Sequence, residues 1–298
     1  MSFLTEYLDA RRALVEEALD RCLPSAGGAG ASSEDRLHEA MRYSVFSGGK
    51  RLRPILALSA FELVGGADDG VLVPACALEL IHTYSLIHDD LPAMDDDDER
   101  RGRPTSHRVF GEALAILAGD ALLTLAFEVV AGDERLAPER KVAVIRELAE
   151  ANGSRGMVGG QAADIAMEGA PPDLASITLI HTRKTALPLA ASVRVGALAA
   201  GAGADDVAAL TAYGRAAGLA FQIRDDLLDV TGSADEMGKA VRKDVARGKL
   251  TYPGVVGAEA AEREARRLAD QAVAALDRFG ATARPLTEIA RYIVERRR

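Results

Sequence analysis

His82–Thr105 reads HTYSLIHDDLPAMDDDDERRGRPT, and the rest of the chain is best read outward from it. An apolar run of helical length, VPACALELIHTYSLI (Val73–Ile87), leads into six aspartates: Asp89, Asp90, Asp95, Asp96, Asp97 and Asp98. Arg100, Arg101 and Arg103 follow at once. An acidic run is ordinarily a solvated loop. Here Asp89 and Asp90 end a packed helix, and Pro92 makes its continuation unfavourable. Carboxylates a few Å apart repel by about 4 kcal/mol per pair at an effective dielectric near 20. Such a cluster either splays into water or holds cations. All-oxygen ligands suit a hard ion such as Mg2+, which shares its shell readily with phosphate.

A second acidic motif stands in Gly218–Thr231, GLAFQIRDDLLDVT. Asp225 and Asp229 are four apart and share a helical face, with Asp226 on the flank and Gln222 one turn earlier. One such motif could be an acidic helix end. Two, each behind an apolar helical run, place two acidic helix ends around a common cavity.

Composition supports a helical frame. The chain has 298 residues, 48% of them hydrophobic, only 4% aromatic, with no Trp. Strong helix formers dominate, and no run alternates like a hairpin strand. The expectation is an all-α single domain over residues 1–298. The net charge of −9 argues against nucleic acid as a partner. An anionic substrate would then need cations to mediate its binding. Two cysteines, Cys22 and Cys76, without CxxC spacing imply no disulfide framework and fit a reducing cytoplasm. The N-terminal segment is charged and amphipathic, without an apolar signal core. No stretch of 18 uncharged apolar residues occurs, so no transmembrane segment is expected.

Taken along the chain, a first helix is expected over 3–23, ended by Pro24, with a flexible connection over 25–33 and Ser33 as the next cap. In GGKRLRP (Gly48–Pro54), Lys50 and Arg53 are three apart and suit a diphosphate, although such a segment can equally be a plain helix start. His82 is seven residues before Asp89 and shares its face. Tyr84, five before Asp89, lies about 7.5 Å down the helix axis and could floor a cavity or be plain core. Gln161 and Asp164 share a face, and Asp173, after Pro171-Pro172, is expected to cap the next helix. Over 174–201 a helix carries Lys184-Thr185, and Pro188 should kink it or free a carbonyl. Residues 231–247 read as a polar loop flanked by Lys239 and Lys249, able to act as a lid.

The ordered set GGKRLRP, SLIHDDLPAMDDDDERRGRPT, GMVGGQAAD (Gly156–Asp164), Lys184-Thr185, GLAFQIRDDLLD, Gly238-Lys239 and GKLTYP (Gly248–Pro253) resembles the trans-isoprenyl diphosphate synthases, of the bacterial farnesyl diphosphate synthase type. Glu99 is a small departure, standing where an apolar residue is common. The resemblance implies a helical bundle around a central cavity, of the class I isoprenoid synthase type. It implies Mg2+, about three ions per site with Mn2+ able to substitute, held by Asp89, Asp90, Asp95, Asp225, Asp226 and Asp229. Isopentenyl diphosphate falls to Lys50, Arg53, His82 and Arg101. The allylic partner, dimethylallyl or geranyl diphosphate, falls to Arg100, Lys184, Thr185, Gln222 and Lys239, with Gln161 and Asp164 along its pocket and Lys249 closing the site. Tyr84, with the small Ser85 beside it, would set product length at C15. Geranylgeranyl diphosphate (C20) is the alternative, with a class I terpene cyclase or a non-catalytic regulatory subunit behind it. A homodimer is the usual assembly of such proteins.

Overall fold

The computed structural model describes residues 2–27, 32–67, 69–169, 171, 173–231 and 250–296. The described part is helical apart from a two-residue ladder, Glu99–Arg100 (β1) against Arg103–Pro104 (β2). In order, the helices are α1 (Phe3–Cys22), α2 (Ser33–Val45), α3 (Leu52–Leu63), α4 (Leu72–Asp89), α5 (Ser106–Phe110), α6 (Glu112–Gly132), α7 (Pro138–Asn152), α8 (Met157–Ala166) and α9 (Leu174–His181). A π-helical turn, Thr182–Ala186, runs directly into α10 (Leu187–Ala200). Then come α11 (Ala204–Thr231), α12 (Tyr252–Val256), α13 (Ala258–Ala274), a 3-10 segment and α14 (Arg284–Glu295).

Local chemistry accounts for the boundaries. Ser2 caps α1 by accepting from the Thr5 amide. Ser32, one residue before the expected Ser33, caps α2: its hydroxyl accepts from the Asp35 amide, and Asp35 accepts the Ser32 amide at 2.8 Å. This is a capping box with Asp in the third position. Asp173 caps α9 as expected, accepting from the amides of Ala175 and Ser176. Before Pro188 the chain widens into the π turn. Pro188 has no N–H to return to the Lys184 carbonyl, and the wider turn accommodates that loss.

Two apolar clusters fill the bundle. One joins α1, α2, α4, α6 and α7 through residues such as Leu19, Leu80, Leu122 and Leu148. The other joins α3, α10, α11, α13 and α14 through Ile55, Leu189, Leu210, Ile223 and Ile289. Each such side chain contributes roughly 1.5–3 kcal/mol on burial. Helix α6 is long and apolar enough by length and composition to cross a membrane. In this fold Ala115, Ala118, Leu122 and Ala126 pack it into the core instead, while Ile116 and Leu117 stay exposed.

Close helix approach depends on small residues. On α10, a Cβ at Gly196 would collide with the Ala57 carbonyl of α3. Both are backbone-fixed, so neither can yield cheaply. Gly196→Ala is therefore expected to cost about 1–3 kcal/mol, read as a lower denaturant midpoint with an unchanged slope.

Candidate active site

The C-terminal half of α4 faces a cavity of about 790 Å3. His82, Ser85, Leu86 and Asp89 line it, at spacings that put them on one helical face. Asp90, one residue on, is turned away. It is 4% exposed and accepts from Arg100 Nε at 2.7 and 3.0 Å and from Arg100 Nη2 at 2.7 Å. Burial pushes its carboxyl up, and Arg100 opposes that shift.

After Asp90 the chain folds back on itself. The Asp95 amide bonds the Asp89 carbonyl at 2.8 Å, and the Asp97 amide bonds the Asp90 carbonyl at 3.1 Å. Asp96 takes a left-handed conformation (φ 47°), which short polar side chains tolerate. The six aspartates are thereby sorted. Asp89 lines the cavity, and Asp95 is near enough that both raise the Lys184 ammonium. Asp90 and the buried Asp97 flank Arg100. Asp96 and Asp98 face solvent, Asp98 pairing with Arg108 at 3.2 Å.

The same sorting occurs on α11. Asp225 lines the cavity and accepts from Arg296 Nη2 at 2.6 Å. Asp226 is 5% exposed and faces the interior. It accepts from Gln222 Nε2 at 2.9 Å and from the Tyr252 amide at 2.7 Å, with His181 Nε2 at 3.2 Å. Asp229 lies one turn beyond Asp225 and is half-buried. Of the six carboxylates expected to hold metal, Asp90 and Asp226 thus have both oxygens directed at protein donors, whereas Asp225 has its Oδ1 on Arg296. Among the described residues, no three His, Cys, Asp or Glu side chains form a ready-made metal cage. The cavity carboxylates are nonetheless hard oxygen donors of the kind Mg2+ takes one or two at a time, completing its shell from water and phosphate.

A cationic lobe adjoins them. Gly48 and Gly49 have positive φ (91° and 141°). A Cβ at Gly49 would strike the Arg101 guanidinium, which donates to the Gly48 carbonyl. Lys50, Arg53, Arg101 and His82 all line this lobe. Burial lowers both Arg53 and Arg101 from the ordinary guanidinium value, with Arg101 adding to the shift at Arg53 and Arg51 and Arg100 adding to that at Arg101. Burial first, then Arg53 and Arg101, push His82 well below its usual range, so it is a neutral imidazole at pH 7. Cations held together at such a cost suit a polyanion.

Arg51, between the two expected cations, is different. It sits at φ 49° and is 2% exposed, bonded to Glu16 at 2.7 Å, Glu79 at 2.8 Å and the Val45 carbonyl at 2.7 Å. It pins the GGKRLRP turn to α1 and α4.

On the π turn, Lys184 Nζ donates to Asp164 at 2.8 Å, and Thr185 Oγ1 donates to Gln222 Oε1 at 2.7 Å. Lys184, Thr185 and Gln222 line the cavity. Asp164 acts here by holding Lys184. Gln161 is buried beside it without being one of the lining residues. Tyr84 is also buried and off the lining, its ring edge-on to His88 at 5.6 Å. Ser85 faces the cavity in its place and donates to the His82 carbonyl at 2.8 Å. Lys239 and Lys249 lie outside the described residues.

Three contributors were not singled out from sequence. Arg296 reaches Asp225 and stacks on Phe221 at 4.1 Å. Glu79 neutralises Arg51, and His181 meets Asp226. His181 carried the one usable signal, standing three residues before Lys184 in a helical run.

Cavity carboxylates of the kind a hard cation takes, beside a cluster of buried cations, are a combination suited to diphosphates. The polyprenyl synthetase family matches residues 34–283, and the chain belongs to that family. It is 44% identical to geranylgeranyl pyrophosphate synthase 7 of Arabidopsis thaliana, a chloroplastic protein, over 98% of this chain and 84% of that one. It is 44% identical to a dimethylallyltranstransferase of Fischerella ambigua, over the same shares. The crystal structure of an FPP/GFPP synthase from Zymomonas mobilis superposes with a TM-score of 0.85 at 39% identity, covering 98% of this chain and 100% of that one.

The neutral state of His82 has a consequence for folding. An unfolded chain takes up a proton at His82 near pH 6.5, which the folded chain refuses because its value there is depressed. Stability contributed by this site is therefore present above pH 6.5 and lost as pH falls below it. Denaturant titrations from pH 7.5 to 5 are expected to show a decline that His82→Asn flattens. An unchanged slope in the variant would place the charge elsewhere.

Proposed function

We propose that this chain is a short-chain trans-prenyltransferase that joins isopentenyl diphosphate to dimethylallyl and then geranyl diphosphate, giving farnesyl diphosphate. One observation supports it most: Asp89 of α4, Asp225 of α11 and the lobe of Lys50, Arg53 and Arg101 share a single cavity. A homoallylic diphosphate, carrying no leaving group to be activated, suits the lobe of fixed cations. The allylic diphosphate, which must depart, suits the carboxylate end.

Mg2+ held by Asp89, Asp95, Asp225 and Asp229 would supply the positive charge that the departing diphosphate needs. Lys184, tied to Asp164, adds a fixed cation on that side. Donors fixed in advance are worth about 2.7–4 kcal/mol each where charge develops. Thr185 and Gln222, which line the cavity, would border the allylic carbon, and the neutral His82 can bond a diphosphate oxygen without adding charge. As the carbon–oxygen bond breaks, the isopentenyl double bond attacks the allylic carbon. The released diphosphate would accept the proton lost afterwards. Holding two anions in reach of each other is itself worth up to about 7–11 kcal/mol.

The C15 length rests on Tyr84. It is buried in the apolar cluster of α4, its ring edge-on to His88 at 5.6 Å, and is the chain neighbour of the cavity-lining Ser85. A C20 product is the second reading. It is favoured by Ser85, not Tyr84, on the cavity wall and by the geranylgeranyl synthases among the relatives. We place the protein in the cytoplasm, on its two free cysteines, and as a homodimer, on the exposed Ile116 and Leu117 of α6.

Product analysis with Mg2+, isopentenyl diphosphate and each allylic primer tests the reading. C15 is expected from dimethylallyl and geranyl primers, with little turnover of farnesyl diphosphate. Tyr84→Ala is expected to shift the product to C20 or beyond. C20 from the unmodified protein with all three primers would establish the second reading, and no condensation would overturn both.

A further inference from the structure

Asp226 ties together three separate parts of the fold. Its Oδ1 accepts from Gln222 Nε2 at 2.9 Å on its own helix. Its Oδ2 accepts from the Tyr252 amide at 2.7 Å, at the first residue of α12, and faces His181 Nε2 at 3.2 Å, at the last residue of α9. Both side chains of the His181–Asp226 pair are 5% exposed. The Tyr252 ring stacks on the imidazole at 6.1 Å. His181 Nδ1 is buried without a hydrogen-bond partner, so the ring's proton belongs on Nε2, facing the carboxylate. A carboxylate with three such donors around it has little capacity left for a cation in the cavity.

The chain of bonds leads to the site. Gln222, held by Asp226 through its amide nitrogen, presents its oxygen to the Thr185 hydroxyl at 2.7 Å. The direction of the Gln222 amide follows from this: a flipped amide would set its oxygen against the Asp226 carboxylate. His181 also directly precedes the π turn that carries Lys184 and Thr185.

We propose that Asp226 and His181 are positioning residues: they fix the Gln222 amide and the π turn against the allylic end, and Asp226 is not a ligand of the metal. This rests on the reading of the cavity as a prenyl-transfer site. In that reading, the two neighbours in the second acidic motif divide the work, Asp225 toward the metal and Asp226 toward the protein.

The test compares Asp226→Asn, Asp225→Asn, His181→Gln, His181→Phe, Gln222→Ala and the Gln222→Ala/Asp226→Asn double variant. Each is measured for kcat, for KM, for calorimetric binding of Mg2+ with inorganic diphosphate, and for thermal stability without ligands. Asp226→Asn is expected to lower kcat about 100-fold by misplacing its neighbours. Its Mg2+–diphosphate affinity should stay within about two-fold of the unmodified protein, whereas Asp225→Asn weakens it about ten-fold or more. The double variant should be no slower than Asp226→Asn alone, because the Gln222 amide is already released when Asp226 is replaced. His181→Gln, which keeps a donor, should retain kcat within about three-fold, while His181→Phe behaves like Asp226→Asn.

A ten-fold or larger loss of Mg2+–diphosphate affinity in Asp226→Asn, with kcat restored at high Mg2+, would overturn the proposal. So would equal kcat in the two His181 variants. If Asp226→Asn does not fold, the His181 pair decides. If the unmodified protein fails to condense its substrates, the functional reading falls, and the binding and melting arms still decide whether Asp226 serves metal or protein.

Discussion

Adjacent residues on a helix point about 100° apart, so the two carboxylates of a DD pair leave the helix in different directions. Each acidic motif of this chain meets that constraint in the same way. Asp89 and Asp225 face the cavity, and Asp90 and Asp226 are driven into the interior, where a buried carboxylate is costly unless donors surround it. Arg100 answers one, and Gln222, His181 and the Tyr252 amide answer the other. Arg100 and Gln222 are themselves cavity residues, and His181 directly precedes the π turn that carries Lys184 and Thr185. The requirement to satisfy the inward carboxylates therefore also fixes the outward groups.

The cations obey a related rule. Arg51 is fully paired between Glu16 and Glu79 and serves as a fastener. Breaking such a buried pair typically costs about 3–5 kcal/mol, which holds the GGKRLRP turn in place. Arg53 and Arg101 are instead depressed by burial and by neighbouring guanidinium groups. Stability is concentrated in one arginine, and binding capacity is left to its neighbours. A chain with a net charge of −9 can take anionic substrates because its positive charge is gathered locally at this cavity.

Much of this was legible in the sequence. An Ala- and Leu-rich chain without strand alternation reads as helical, and the two aspartate motifs read as a site. Pro188 foretold a disturbance near Lys184, and the π turn is its form. What could not be read was direction. Whether Asp90 or Asp89 faces the cavity depends on the phase at which α4 packs, which tertiary contacts set. Arg51 looks like a third ligand-binding cation until its left-handed backbone and its partners on α1 and α4 are seen. Arg296 reaches Asp225 across 71 residues of sequence, a contact no local pattern encodes. The cap of α2 was misplaced by one residue because Ser32 and Ser33 are chemically equal candidates, and only the Asp35 return bond separates them.

The proposed function requires a carboxylate end that takes metal and a cationic lobe that needs none. A crystal structure with Mg2+, isopentenyl diphosphate and an unreactive thiolo analogue of dimethylallyl diphosphate tests it most directly. The predicted result is metal bridging Asp89 and Asp225 to the allylic diphosphate, with Arg296 displaced from Asp225, while the isopentenyl diphosphate lies on Lys50, Arg53 and Arg101 without metal. Metal on Asp90 or Asp226, or an allylic diphosphate seated on the arginines alone, would contradict it.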